Sequence, residues 1–260
     1  MVDSAKKARW GKRLGWLAAI LCFGSVAAAL IAAIGAGQGA WHFRPAFTVL
    51  RYALFAGIAG MVLALPAMLL ARRAQPRLAL VNLVGLLLAL GFVLFLGNQV
   101  RIARSVPGIH DITTNLNDPP QFQRLQVRSD NLETVPSGDR PELEALNPEE
   151  RWKALHREAY RDIRPLRLNM SVADVIARAE QLALDRGWEV VQADPRQGTL
   201  EATDTSLFFR FKDDVALRAR PDPINGGTIV DMRSVSRVGV SDVGVNARRI
   251  RSFLADLQRG

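Results

Sequence analysis

The chain has 260 residues and a formal net charge of +9, but this charge is unevenly distributed. Residues 1–106 carry twelve lysines or arginines and one acid, whereas residues 107–260 carry 22 basic and 24 acidic side chains. The near-neutral second half lacks the basic footprint that nucleic-acid binding requires, so we expect no nucleic-acid partner. The single cysteine, Cys22, lies in an apolar run, and a second half without cysteine fits an oxidising compartment.

Three uncharged windows in the first half are each long enough to cross a membrane. They cover residues 14–43, 52–71 and 78–100. A hydrocarbon core of about 30 Å needs about 20 helical residues. Basic residues precede the first window, as in a signal peptide, but its apolar core exceeds the roughly 7–15 residues typical of one. We therefore predict a basic N-terminus over 1–13 and an uncleaved three-helix transmembrane region over 14–104.

Basic residues flank these windows asymmetrically. Five of them precede the first window, and Arg72, Arg73 and Arg77 separate the second from the third. Because cytoplasmic segments retain lysine and arginine, the pattern predicts a cytoplasmic N-terminus and a C-terminal half outside the cytoplasm. Arg101 and Arg104, after the third window, oppose this orientation mildly. The windows contain no Asp, Glu, Lys or Arg, which favours a membrane anchor over a transporter.

The second half reads as alternating helices and strands. Residues 105–146 are rich in turn formers and prolines, and we expect them to be extended or irregular. One helix begins after Asn147 as its cap, with Pro148 in first position, and another begins after Ser171 and ends near Gly187. Strands are predicted over residues 164–170, 188–194, 198–205, 207–220 and 228–238. A final amphipathic helix carries its apolar side chains on one stripe: Val243, Ala247, Ile250, Leu254 and Leu257.

The order of these elements predicts the fold class. Consecutive strands joined by short turns pair antiparallel, and the helices must bury their apolar stripes against the resulting sheet. We therefore predict a membrane-anchored α+β protein. It has three N-terminal transmembrane helices and, over residues 147–260, an extracytoplasmic domain with an antiparallel sheet of about five strands and helices packed on one face.

Three segments resemble a known family. "GIHDITTNLNDPPQF", "EATDTSLFFRFKDDVALRARP" and "DMRSVSRVGVSDVGVNARRIRSFL" are similar to signature segments of the domain of unknown function 1499 family, and the likeness covers roughly residues 107–257. The resemblance implies a bacterial envelope protein. With the charge pattern, this gives a multi-pass protein of the bacterial inner membrane with a periplasmic C-terminal domain. The resemblance brings no catalytic residues.

Two adjacent carboxylates interrupt a predicted strand. Alternation places Asp213 on its apolar face and Asp214 on the opposite face. A buried carboxylate needs a partner, which Arg233 or Arg237 on the next strand could supply, or a bulge could turn Asp213 outward. The remaining alternative is a catalytic site in which Asp204 joins Asp213 and Asp214.

The junction of the last strand and the last helix is the second candidate site. A helix N-terminus close to arginines can bind an anion, but the junction lacks the lysine and glycine spacing of a phosphate loop, and Asp242 would repel an anion. The favoured interpretation pairs Arg233 and Arg237 with Asp213 and Asp242, while Ser241 or Asp242 caps the helix. The residues left as candidates for an anionic ligand are Arg233, Ser236, Arg237, Ser241, Asn246 and Arg249.

These candidates set the functional hypotheses. His42, His110 and His156 lack metal-ligand spacing, and we expect neither a metal nor a cofactor. Because no nucleophile–base set is recognisable, we favour a binding or interaction module over an enzyme. Its partners would be the lipid bilayer and an envelope protein or an anionic lipid-like ligand. Two alternatives stay open: a carboxylate-based periplasmic hydrolase or isomerase, and a structural envelope protein.

Overall fold

The computed structural model describes residues 2–71 and 75–259, with side chains over 7–70 and 75–259. Arg72 and Arg73, which belong to the predicted basic loop, lie outside the described residues, as does the side chain of Lys6. The chain divides into two compact units. The first comprises residues 1–101 together with Leu207–Arg210, and the second comprises residues 102–206 and 211–260.

The first unit contains three long apolar helices: α1 (Val2–Gly37), α2 (Phe43–Ala71) and α3 (Pro76–Ser105). Each is long and apolar enough to cross a membrane, as predicted. Small residues let the helices approach closely, since a side chain on Gly60 of α2 would collide with Cys22 of α1, 2.8 Å from its Sγ. Gly85 of α3 contacts the same part of α1, because its added Cβ would lie 3.2 Å from Cys22 Cβ.

The second unit is an α+β domain with a six-stranded sheet, one strand more than expected. The additional strand is β1, which lies in the segment predicted to be irregular. The elements are β1 (Asp111–Thr113), α4 (Pro141–Glu144), α5 (Pro148–Ala159), β2 (Leu166–Leu168), α6 (Val172–Asp185), β3 (Glu189–Asp194), β4 (Thr199–Thr205), β5 (Lys212–Pro221), β6 (Thr228–Ser236) and α7 (Val245–Arg259).

Local signals place the helix ends where the sequence predicts them. The Asn147 side chain accepts a hydrogen bond from the Glu150 amide at 2.9 Å, and Ser171 accepts one from the Asp174 amide at 3.1 Å. Gly187 ends α6 with a φ of 73°, a left-handed conformation that favours glycine.

Every strand pair is antiparallel, in the order β1-β6-β5-β4-β3, and β2 also pairs with β6. Helices α6 and α7 cover one face and enclose the apolar core. The opposite face is covered by residues 118–125, which we call the covering segment and which form hydrogen bonds with side chains of the sheet. The core includes Ile112, Val175, Ile176, Leu200, Leu217, Val230, Met232, Ile250, Phe253 and Leu257.

Two predicted boundaries were wrong. Strand β5 begins at Lys212 rather than at residue 207, because residues 207–209 form the turn between β4 and β5. Helix α7 begins at Val245, so Val243 of the predicted stripe precedes the helix. Val243 has a φ of 55°, in the left-handed region that a β-branched residue rarely adopts. The remaining stripe residues are buried as predicted.

Candidate functional site

Strand alternation divides the candidate residues between the two faces of the sheet. In β5, Asp213 points towards α7 and Asp214 points away from it, as their partners show. In β6, Ser234 and Ser236 share the α7 face, whereas Arg233 and Arg237, the residue after the strand, lie on the other. The candidates therefore form separate clusters, and each is described in turn.

The cluster on the α7 face is centred on the buried guanidinium of Arg249. Its Nη2 donates to Asp213 Oδ2 at 2.7 Å, and Nε and Nη2 donate to Asp204 Oδ2 at 3.0 and 2.8 Å. Its Nη1 donates to Ser234 Oγ at 3.0 Å. The structure thus brings Asp204 and Asp213 together around an arginine from α7, whereas Asp214, the third carboxylate of the candidate catalytic set, lies on the opposite face. The expectation that Arg233 or Arg237 neutralises Asp213 was wrong, because both lie on the opposite face.

Asn246 ties the start of α7 to β6 and to the residue before β1. Its Nδ2 donates to the His110 carbonyl at 2.8 Å and to Ser236 Oγ at 3.0 Å, while its Oδ1 accepts from Ser234 Oγ at 2.7 Å. Arg249 Nη1 also donates to this Oδ1. Both amide donors and both acceptor positions are therefore satisfied, which fixes a fully buried polar group in one orientation.

Asp242 caps α7. Its Oδ1 accepts from the Gly244 amide at 2.8 Å and its Oδ2 accepts from the Asn246 amide at 2.7 Å. Burial raises the pKa of Asp242 above its ordinary value, although these two amide donors oppose the shift. Because Asp242 occupies these amides, an anion would have to displace its carboxylate. The expected pairing of Asp242 with Arg233 or Arg237 does not form, since the cap is local.

On the opposite face, Arg233 forms a bidentate ion pair with Asp111 of β1. The Nε–Oδ1 and Nη2–Oδ2 distances are 3.0 and 2.7 Å, and both side chains are buried. The guanidinium also donates to the Pro120 carbonyl at 3.3 Å and lies 5.7 Å from the ring centroid of Phe122. Arg233 therefore joins β1, β6 and the covering segment.

Arg237 forms the second bidentate pair on this face. Its Nε and Nη2 each lie 2.8 Å from an oxygen of Asp214, and Nη2 also donates to Thr203 Oγ1 at 3.2 Å. The Asp214 side chain is buried, but that of Arg237 is 40 % exposed. Arg237 is thus paired with a carboxylate, but its partner is Asp214 rather than the expected Asp213 or Asp242.

Several polar residues that the sequence analysis did not select complete these networks. Buried Glu201 accepts from the amides of Arg124 and Leu125, at 3.1 and 2.8 Å, and so holds the covering segment. Asn131 donates to Asp111 Oδ2 at 2.6 Å and contacts His110 Nε2 at 3.1 Å. In the sequence, Glu201 alternates with apolar neighbours, which is the pattern of a residue that faces solvent. No periodic pattern in the sequence reveals that residues 118–125 cover it.

His156 lies buried beside β1. Its Nε2 accepts the Thr113 amide hydrogen at 3.2 Å, and burial lowers its pKa to about 4. No group of three or more His, Cys, Asp or Glu side chains able to hold a metal ion occurs within residues 2–71 and 75–259.

Exposure separates residues that a ligand could reach from those that support the fold. Among the candidates for ligand binding, Arg233, Ser236, Asn246 and Arg249 are buried. Arg237 and Ser241 belong to the connection over residues 237–244, which we call the β6–α7 loop. A ligand of this region would therefore contact the β6–α7 loop, and of the buried candidates Asn246 is hydrogen-bonded to that loop, through its amide and Asp242.

Comparison with known proteins identifies a family. No curated protein matches the chain. The family model described as "Protein of unknown function (DUF1499)" matches residues 111–257. The match begins at the first residue of β1 and ends within α7, so it includes all six strands and more than half of the chain. The chain therefore belongs to the DUF1499 family of proteins of unknown function.

Proposed function

We propose that this chain is a bacterial inner-membrane protein whose C-terminal domain is a periplasmic binding or interaction module. Its ligand would be an envelope protein or an anionic lipid-like molecule. The observation that carries the proposal is the β6–α7 loop, which exposes Val238 by 40 % and Val240 by 47 % while its backbone is anchored to the domain.

Side chains and backbone from other elements anchor this loop. Arg128 Nη1 donates to the Gly239 carbonyl at 2.6 Å, and His110 Nδ1 lies 3.1 Å from the Val240 carbonyl. The Asp242 amide donates to the carbonyl of Ile109 at 3.3 Å. A loop that is ordered before binding loses less conformational entropy when a partner arrives, so this arrangement favours recognition.

The chemistry of the exposed atoms indicates the ligand class. Two exposed valines lie in the same loop as the half-exposed guanidinium of Arg237. Apolar contacts beside a positive group suit a ligand with an acidic group next to an apolar part. An anionic lipid has this character, and so does an acidic and apolar patch on an envelope protein.

The carboxylates support a structural role more than a catalytic one. Asp204 and Asp213 accept from Arg249, and Asp214 accepts from Arg237. A carboxylate in such a pair must give up a guanidinium hydrogen bond before it can take a proton from a substrate. For this reason the binding module is our conclusion, and the hydrolase or isomerase is not.

The orientation is tested by the accessibility of one loop residue. Ile224 lies in the turn between β5 and β6 and is 84 % exposed. We expect an Ile224→Cys variant to react with a membrane-impermeant maleimide in intact spheroplasts, because the positive-inside pattern supports a periplasmic location for this domain. Labelling that occurs only after lysis would contradict the orientation.

Site-specific photo-crosslinking tests the binding surface. A photoreactive amino acid at Val240 of the full chain should crosslink in living cells to an envelope protein or a lipid, identified by mass spectrometry and confirmed from the partner's side. The matched control is Val191 in β3, which is 42 % exposed and lies outside the β6–α7 loop. Equal adducts at both positions, or none at Val240, would contradict the proposal.

A further inference from the structure

We propose that the loop between β4 and β5, residues 206–211, is a second membrane contact: it inserts Leu207 and Phe208 into the surface of the bilayer that α1, α2 and α3 span. Leu207 is 78 % exposed and Phe208 is 46 % exposed, and they are adjacent in the sequence "SLFFRF". This inference does not depend on the ligand of the β6–α7 loop.

The base of this β4–β5 loop is closed, so its apolar residues form the tip. The Ser206 amide donates to the Phe211 carbonyl at 2.9 Å, and the Phe211 amide donates to Ser206 Oγ at 2.8 Å. Arg210 has a φ of 54° and completes the turn. Leu207 and Phe208 therefore project past the ends of the strands, because the ladder ends with Thr205 opposite Lys212.

The path of the chain identifies the bilayer as the occupant. Helix α3 ends at Ser105 and β1 begins at Asp111, so at most about 20 Å of extended chain separates them. Asp111 pairs with Val235, and Ser236 pairs with Asp213. The chain thus enters the sheet from the third apolar helix at the end from which the β4–β5 loop projects.

The loop also belongs to the compact unit that contains the apolar helices. Leu207–Arg210 group with residues 1–101, and the Phe209 ring lies 5.1 Å from that of Phe47 in the first turns of α2. Aromatic side chains are favoured at the boundary between lipid headgroups and acyl chains. With Phe209 against α2, a bilayer around the helices would meet Leu207 and Phe208.

The turn between β5 and β6 is a matched control within the same sheet. It exposes Ile224 as fully as the β4–β5 loop exposes Leu207, but it projects from the opposite end, where Pro221 pairs with Thr228. Exposure is therefore similar at the two sites, and the expected distance from the bilayer differs.

Depth-dependent fluorescence quenching tests the proposal in the full chain. Leu207→Cys, Phe208→Cys and Ile224→Cys, each in a Cys22→Ser background, are labelled with an environment-sensitive fluorophore. The proteins are reconstituted in phosphatidylethanolamine–phosphatidylglycerol vesicles that contain lipids with a nitroxide near the headgroup. We expect blue-shifted emission and several-fold stronger quenching at positions 207 and 208 than at position 224.

Two outcomes would overturn the proposal. Emission and quenching at 207 and 208 equal to those at 224 would place the loop in water. Blue-shifted emission without lipid quenching, at a high ratio of lipid to protein, would show that a protein surface such as a second copy covers the loop. Crosslinking at Val240 reads a different loop, so failure of this inference remains distinguishable from failure of the proposed function.

Discussion

Buried His156 predicts that mild acid destabilises the C-terminal domain. Its ring lies between those of Trp152 and Tyr160, with centroids 6.0 and 5.5 Å away, and its Nε2 accepts the amide hydrogen of Thr113. Protonation would remove this acceptor and place a charge in a poorly solvated site. Burial accordingly lowers the pKa of His156 from 6.5 to about 4.

The direction and size of the effect follow from this pKa difference. Between pH 6.5 and pH 4 the unfolded chain holds a proton on His156 that the folded domain excludes, so stability falls as the pH falls through this window. Above pH 6.5 the full stability is present. At about 1.4 kcal/mol for each pKa unit, the free energy of unfolding should decrease by about 3 kcal/mol at the lower limit.

Urea unfolding of the full chain in mild detergent, read by pulse proteolysis of the C-terminal domain, measures this decrease. The control is His156→Gln, which keeps a hydrogen-bond acceptor but does not titrate. We expect the variant to be less stable than the parent protein at neutral pH and to lose less stability on acidification, since other groups titrate equally in both. Equal slopes for both proteins between pH 6.5 and pH 4 would refute the reasoning.

Three further variants test the polar networks and a helix cap. Arg233→Met should lower the free energy of unfolding by about 3–5 kcal/mol because it leaves Asp111 buried without its cationic partner. Adding Asp111→Leu should recover much of this loss in a double-mutant cycle, and additive losses would contradict the pairing. Glu201→Gln should cost about 1.5–3 kcal/mol and speed amide hydrogen exchange of the covering segment, whereas unchanged exchange would show that Glu201 does not hold it. Asn147→Ala should cost about 1 kcal/mol in urea unfolding, while Asn147→Asp, which keeps a capping oxygen, should cost less.

The membrane helices and the helix ends could be predicted because their signals are local. An uncharged window of sufficient length identifies a span by itself. Asn147 and Ser171 lie next to the amides that they cap, so sequence neighbours decide the contact. Residues 207–209 misled the prediction because three apolar residues before β5 resemble a strand, although they form the tip of a turn.

The partners of the buried carboxylates could not be predicted, because they depend on register and on tertiary packing. Alternation correctly placed Asp213 on the face with apolar residues. However, the partner of Asp213 is decided by the register of the sheet. The pairing of Asp213 with Ser236 puts the Asp213 side chain under α7, where Arg249 donates to it. Strand alternation by itself points to the arginines of the neighbouring strand. The pairing of Asp111 with Arg233 could not be predicted for a similar reason, since β1 has three residues and no periodic pattern.

The positions of the buried ion pairs suggest a reason, other than stability, for which the domain contains them. A buried ion pair often contributes no more stability than a well-packed apolar pair, so stability alone does not explain the ion pairs of Asp111, Asp213 and Asp214. The carboxylates of Asp111, Asp213 and Asp214 all lie beside Val235 or Ser236, at the end of β6. Further along the same strand, the α7 face is apolar, with Val230 and Met232 in the core.

Three ion pairs therefore lie where β6 leaves the sheet and the β6–α7 loop begins, in addition to the pairing of Asp231 with Arg218 and Arg220 in the middle of the strand. Apolar packing tolerates small displacements, whereas a bidentate pair specifies orientation as well as distance. We therefore expect that replacing both Asp214 and Arg237 by apolar residues leaves the free energy of unfolding nearly unchanged. The same double variant should lose crosslinking at Val240, because it removes both the guanidinium proposed to meet the ligand and the pair that holds the start of the loop. Retained crosslinking in a stable double variant would contradict a positioning role for this pair.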